Sequence, residues 1–347
     1  MVRELQRGGL RDLDWHFLVA EDVAAMLAGK EGDVRITSVP RASLARRLAW
    51  EQLVLPWRYA RHRGEVLLSA ANYAPVLRRK RTVLLTRNAL HFGDWRFSAW
   101  QRQGDLESGL ARLSVRRSRL TITATDTMSA AVQRRTSRRP LTIYFGPGLA
   151  RTLGDRREDT RYCFTHRTLW GPHKRLPDML RAIREVAGTH RGRFIVSSAC
   201  DPYTAFAKTY SESELDRALL DDPLISEHIE FASFDPRDGA RLDADAVIVP
   251  STIESFCFPL AEAVALGIPV VAAESSFARE LCGASAVYAQ PGDPGSLADG
   301  MRRLIDGDRP EPAPRDLRDR LSWARHVDRL AAACRYVAIH DRAPDSV

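Results

Sequence analysis

The sequence predicts an α/β protein made of two doubly wound, parallel-sheet domains that face each other across a cleft. Three observations carry this. Short apolar or β-branched runs alternate with amphipathic stretches along nearly the whole chain, the pattern of a parallel sheet flanked by helices. The 347 residues, 44% apolar and 28% charged, suffice for two ordinary hydrophobic cores. A polar segment without apolar period, RTLGDRREDT at 151–160, divides the alternation and reads as a linker. The expected layout is a domain at 1–150, the linker, a domain at 161–315, and a closing helix and tail at 316–347.

In the first half the strand candidates are WHFLVA (15–20), VRITSV (34–39), EVLLSA (65–70), TVLLT (82–86), LTITAT (120–125) and LTIYF (141–145), with helical stretches between most of them. Asp126 or Thr127 is placed to cap the helix after the fifth of these. In the second half they are YCFTH (162–166), RFIVSSA (193–199), IEFASF (229–234), DAVIVPS (245–251), PVVAA (269–273) and AVYAQ (286–290). LPDMLRAIREVAG (176–188) reads as an amphipathic helix, and another runs from about Asp316 to Ile339. Ligands of doubly wound sheets bind beyond the carboxyl ends of the strands, so the cleft between the domains is the expected site.

The densest stretch is PSTIESFCFPLAEAVALGIPVVAAE at 250–274. A buried strand ends at Pro250-Ser251, Pro259 starts a helix, and Gly267 stops it before the next strand. The positive end of that helix favours a phosphate or diphosphate, with Ser251 and Ser255 as small donors beside it. Glu254 lies just before the helix and Glu262 is expected in its first turn, so both carboxylates can rim one pocket and accept hydrogen bonds from sugar hydroxyls. For a single such glutamate, complementing the helix dipole is the simpler reading.

Charge is unevenly spread. Residues 1–150 hold 26 Lys+Arg against 13 Asp+Glu, a net of +13, whereas 151–347 hold 26 against 31, a net of −5. Basic clusters at 78–81 (RRKR), 114–119 (SVRRSR) and 134–139 (RRTSRR) either decorate a solvated surface or face an anionic partner such as a lipid headgroup. No helix-turn-helix, zinc-finger spacing or aromatic RNA-binding strand accompanies them, which argues against nucleic acid. No apolar run reaches the roughly 18 residues of a membrane span, and MVRELQRGGL lacks the apolar core of a signal peptide; the chain reads as cytoplasmic. The five cysteines are odd in number and scattered, consistent with buried free thiols. The D-x-D pairs Asp12/Asp14 and Asp243/Asp245 read as structural, and no metal is expected.

These residues resemble glycosyltransferase family 4, retaining enzymes of the two-domain GT-B fold. The resemblance rests on Pro250-Ser251, Glu254, Glu262 and GIPVVAA (267–273), on ARELCGASAVYAQPGDPGSLADGMRRLI beyond them, and on FTHRTLWGPHKRLPDMLRAI upstream; it covers essentially 162–305. It implies that Glu254 contacts the donor sugar, Glu262 the nucleotide ribose, and Lys174 the diphosphate, with Arg167 as second cation. Six residues separate Arg167 from Lys174, more than the family's usual interval, which leaves Arg175 as an alternative. Phe256 and Phe258 lie in the donor loop with Ser255 and Cys257, the latter two standing where the family commonly has glycines. In the first half, SAANYAPVLRRKRTVLLTRNALHF (69–92) is similar to an acceptor-side element and nominates Asn88 and His91, with Asn72 behind them; an ordinary, partly exposed loop role for His91 stands equally.

The implied reaction moves a hexose from a nucleotide diphosphate sugar to an acceptor hydroxyl, saccharide or lipid-linked, in cell-surface polysaccharide or glycolipid synthesis, with the donor as substrate and no cofactor. The alternatives are a truncated or degenerate homologue that binds nucleotide without turnover, and an epimerase, which would form product without acceptor. The opening strand, glycine loop and long helix of such a domain are missing before WHFLVA, so the N-terminal domain is expected to lack its first strand and the natural start to lie upstream of Met1. In-frame DNA without that pattern upstream would refute this.

Overall fold

A computed structural model of the chain describes residues 13–21, 24, 35–39, 43–61, 64–70, 72–76, 81–93, 101–148, 152–153, 161–167, 171–198, 219, 221–231, 241–242 and 244–340. These residues form two compact units. One comprises Gln101–Gly146, the described residues before them, and those from Ser322 onward; the other is the described part of Pro147–Leu321.

In the first unit, His16–Ala20 (β1) and Arg35–Val39 (β2) pair in parallel as a two-stranded sheet of their own. Leu67–Ser69 (β3), Thr82–Leu85 (β4), Leu120–Thr123 (β5) and Leu141–Thr142 (β6) form a second parallel sheet in chain order. Strands β4 and β5 are buried along their whole length, as expected when helices cover both faces of a parallel sheet. Helices Gln101–Arg117 and Asp126–Thr136 supply one cover, packing Ala111, Val115, Met128 and Val132 against Leu84, Tyr73 and Phe92. The cap of the second helix is Thr125, one residue earlier than expected: its hydroxyl accepts the Met128 N–H at 3.1 Å, and its extended backbone suits the position.

The closing stretch divides into Arg315–Arg320 and Trp323–Ile339, because Leu321 departs from helical geometry and Ser322 caps anew. The last helix lies against β4 and so belongs to the first unit. His326 anchors it: Nδ1 sits 3.1 Å from the Tyr144 carbonyl, with Phe145 at 4.9 Å and Trp323 edge-on at 5.5 Å.

In the second unit, Thr152–Leu153 (β7), inside the segment expected to be linker, bridges in parallel to Arg241–Leu242 (β11). The main sheet takes Tyr162–His166 (β8), Phe194–Ser198 (β9), Ile229–Phe231 (β10), Ala246–Val249 (β12), Val270–Ala273 (β13) and Ala286–Ala289 (β14). Its order is β10-β9-β8-β12-β13-β14, all parallel. The chain therefore starts in the middle, winds outward to β10, and returns to lay β12 on the other side of β8. Helices Leu176–His190 and Pro294–Ile305 bury Leu180, Ile183, Leu297, Met301 and Leu304 against Phe164, Val196, Ile248 and Val271, each such side chain contributing about 1.5–3 kcal/mol.

Candidate active site

Between β8 and β12 the strand order reverses, and a doubly wound sheet has its crevice at the carboxyl ends of those two strands. His166 and Arg167 sit at the end of β8, and Pro250–Cys257 follow β12. The turn Pro172–Lys174 completes the site, since the Thr252 N–H donates to the His173 carbonyl at 3.0 Å and so ties that turn to the loop after β12.

This fastening brings two cation–carboxylate pairs together. Lys174 Nζ donates to Glu254 Oε1, side chains 80 positions apart in sequence and 15% and 12% exposed. Arg167 Nη1 reaches Glu262 Oε2 at 3.4 Å, with side chains only 9% and 7% exposed. Burial lowers the pKa of the Arg167 guanidinium, while the Glu262 carboxylate beside it works the other way. His166 is fully buried, with Nδ1 3.2 Å from the Ser198 hydroxyl; burial first, and the Lys174 charge second, press its pKa down to about 3. His173 is lowered to about 4 for the same two reasons. Both imidazoles are therefore neutral near pH 7, and the positive charge here belongs to Lys174 and Arg167.

Arg175 is held elsewhere. It takes the left-handed conformation before the helix at Leu176 and donates to Asp178 at 2.7 Å, whereas Arg167 lies on the carboxylate that the sequence picked out. Glu262 is not in the first turn as expected: the helix begins at Phe258, so Glu262 falls in its second turn, inward and buried, where complementing the dipole does not explain it. The N–H groups of Leu260 and Ala261 already donate to the Cys257 carbonyl at 3.1 and 3.3 Å, and no side chain caps the helix.

Within the loop, the Ser251 hydroxyl is fully buried with no hydrogen-bond partner among the described residues. Ser255 is half-buried. Phe256 is a core residue whose ring meets Phe258 edge-on at 5.2 Å. Cys257 has φ +58°, ψ +79°, a backbone that glycine adopts without steric cost, and its thiol pKa is raised by burial and the neighbouring Glu254. One participant was missed from sequence: Gly148, where an added Cβ would lie 1.9 Å from Glu262 Oε1. Its signal was the Gly-Pro-Gly run at 146–148.

A second cluster lies in the first unit. Asn72 adopts φ +66°, and its Oδ1 accepts the Arg87 N–H at 2.6 Å. Asn88 Oδ1 accepts the Leu90 N–H at 3.0 Å, which turns its amide Nδ2 toward His91 Nε2 at 3.3 Å. Nε2 must then accept, so His91 is neutral with its proton on Nδ1. His91 is not a loop histidine at the surface but 4% exposed, its pKa lowered by burial. Tyr73, also missed, places its hydroxyl 3.3 Å from both His91 Nε2 and Glu107 Oε2.

Other expectations find their place here. Asp14 is exposed and pairs with Arg35, and Asp245 accepts the Cys163 N–H at 2.9 Å; their partners Asp12 and Asp243 lie outside the described residues. Among the described residues no three His, Cys, Asp or Glu gather as metal ligands do. Cys163, Cys257, Cys282 and Cys334 are buried free thiols, and Cys200 falls outside the described residues. The 78–81 cluster does too, except Arg81.

The architecture defines a class, the GT-B fold. Sucrose-phosphate synthase from Thermosynechococcus elongatus matches with a TM-score of 0.64 at 14% identity, over 87% of this chain and 80% of that one. HepE from Anabaena, in complex with UDP-glucose, matches at 0.61 and 17%, over 92% and 89%. α,α-Trehalose 6-phosphate synthase from Burkholderia multivorans matches at 0.60 and 12%, over 89% and 79%. The family model of glycosyl transferases group 1 matches residues 213–322, the segment holding β12, the loop after it and both glutamates. No curated protein matches the chain by sequence.

Proposed function

We propose that the chain is a retaining glycosyltransferase of family 4 that moves a hexose from a nucleotide diphosphate sugar to an acceptor hydroxyl. The observation that carries this is the joining of Lys174 to Glu254 and Arg167 to Glu262 at the point where the sheet order reverses. Each pair is a cation suited to a phosphate oxygen beside a carboxylate suited to sugar hydroxyls. On donor binding the diphosphate takes Lys174 and Arg167, the hexose takes Glu254, and the ribose takes Glu262. The buried Ser251 hydroxyl adds a hydrogen bond.

Catalysis then lies in positioning and in stabilising the negative charge that grows on the departing diphosphate. That phosphate accepts the acceptor's proton on the same face of the sugar, so the anomeric configuration is retained and neither metal nor cofactor takes part. Asn72, Asn88 and His91 are assigned to the acceptor, a saccharide or lipid-linked hydroxyl of polysaccharide or glycolipid synthesis. The neutral, proton-fixed His91 suits hydrogen bonding to a hydroxyl. Among the described residues no helix is long and apolar enough to cross a membrane; we assign the protein to the cytoplasm, with peripheral contact to an anionic membrane through its basic N-terminal half.

The test is a calorimetric and thermal-shift screen of the intact chain with UDP, GDP, ADP and dTDP sugars, beginning with UDP-glucose, the ligand of the Anabaena structure. One donor is expected to raise the melting temperature. Lys174→Met should lower kcat by about 10²–10³-fold with a smaller change in donor affinity, the pattern of lost leaving-group stabilisation. Unchanged turnover in that variant would overturn the assignment.

A further inference from the structure

The N-terminal unit carries an apolar face that its own core does not use. Residues 44–61 run as one continuous helical stretch: Leu44–Ala49, a π-helical turn at Trp50–Val54, then Leu55–Arg61. Its inner side is fixed. Leu48 packs on the core beside Phe92, Pro56 and Tyr59 are buried, and Gln52 clamps the 74–76 segment, donating to the Ala74 carbonyl at 3.1 Å and accepting the Val76 N–H at 3.0 Å. The outer side shows Leu53 at 65%, Trp57 at 54% and Val54 at 38% exposure. Steps of three and four residues align Arg46, Ala49, Leu53, Trp57 and Arg61 in one stripe, with Val54 and Arg58 beside it. An apolar centre is thus bounded by arginine at both ends, and the Arg61 guanidinium lies over the Trp57 ring at 3.3 Å.

The basic clusters at 114–119 and 134–139 are of another kind. They close the carboxyl ends of the helices Gln101–Arg117 and Asp126–Thr136, where cations complement the dipole, and Arg116 and Arg138 donate to the Arg135 and Ser118 carbonyls at 3.4 and 3.3 Å. Beside them, among the described residues, stands one exposed large apolar side chain, Leu113 at 38%, and no tryptophan.

We propose that the Arg46–Arg61 face is the element that seats this protein on an anionic lipid bilayer, with Leu53, Val54 and Trp57 entering the headgroup–acyl boundary and Arg46, Arg58 and Arg61 meeting lipid phosphates. The proposal rests on the peripheral-contact reading above and narrows it to one surface. Charge decides the occupant: arginines flanking an apolar stripe that includes a tryptophan fit an interface that is apolar within and negative at its rim.

The experiment uses the full chain with vesicles of phosphatidylglycerol or of phosphatidylcholine. The wild type is expected to bind the first and not the second, less tightly as salt rises. Leu53→Ser/Trp57→Ser should weaken binding by at least about tenfold, and Arg46→Gln/Arg58→Gln by about fivefold for each charge removed, with unchanged urea midpoints and UDP-sugar binding. Trp57→Phe, which keeps the bulk, should lose the quenching of tryptophan fluorescence by brominated acyl chains. Full binding by the Leu53/Trp57 variant would overturn this face and leave membrane contact to another part of the unit. Failure of the wild type to bind would overturn both, and donor binding would still judge the enzymatic reading separately. A dimer in sedimentation that these substitutions dissolve would also overturn it, by showing that a second copy covers the face.

Discussion

Gly148 and Cys257 show how single backbone positions govern the site. A methyl at 148 would meet the Glu262 carboxylate at 1.9 Å, far inside contact distance, so Gly148→Ala must displace Glu262 and break its pair with Arg167. We predict a fall of about tenfold or more in donor affinity, measured by calorimetry, in a chain that still folds. Cys257 holds a left-handed backbone that costs a non-glycine residue about 1–3 kcal/mol, and here the strain lies in the loop between Glu254 and the helix. Cys257→Gly relieves it but loses a buried thiol and adds freedom to the unfolded chain, so stability should stay within about 1 kcal/mol of wild type. Cys257→Val, β-branched and ill-suited to positive φ, should cost about 2 kcal/mol or more in urea unfolding.

At the scale of the element, buried histidines tie strand ends and the last helix to pH. Unfolded, an imidazole protonates near 6.5; folded, His166 at the end of β8 resists down to about 3, and His173 and His326 to about 4. Below 6.5 the unfolded chain binds more protons, so stability is full above that pH and drops as pH falls toward 4, by up to about 1.4 kcal/mol per unit for each histidine. Urea midpoints at pH 7.5 and 5 should show the loss, and His326→Gln, while less stable at pH 7.5, should reduce the dependence.

The strands themselves were legible because their apolar runs obey local rules: all twelve segments named from sequence contain an observed strand. The helix Phe258–Leu266 and its stop at Gly267, φ +70°, were legible for the same reason. Pairings across the chain were not. Arg167 and Glu262 are 95 positions apart and Tyr73 and Glu107 34, and only the folded sheet decides which charges meet. Nor did periodicity show that β1 and β2 pair apart from the other N-terminal strands, since strand order lies outside what one segment's pattern encodes.

For the whole molecule, the route of the chain matters as much as its two units. The unit from Pro147 to Leu321 has its own core, and the candidate donor residues all lie within it. Expressed as residues 147–321, it should unfold cooperatively and retain affinity for the donor nucleotide, as differential scanning fluorimetry with UDP would reveal. The other unit should be aggregation-prone when cut at 146, because Val327, Leu330 and Val337 of the last helix are buried at 2% exposure or less.

That return of the last helix to the first unit sets an order in time. A ribosome delivers β3 to β6 long before Trp323–Ile339 exists, so the portion made first must wait, incomplete, while everything between is translated. The inserted portion meets no such delay and can finish folding as it emerges. Birth order and completion order are therefore reversed in this protein, and a chain ended at residue 322 and held on the ribosome by a linker long enough to fill the exit tunnel should protect its later half from protease while its earlier half is still being digested.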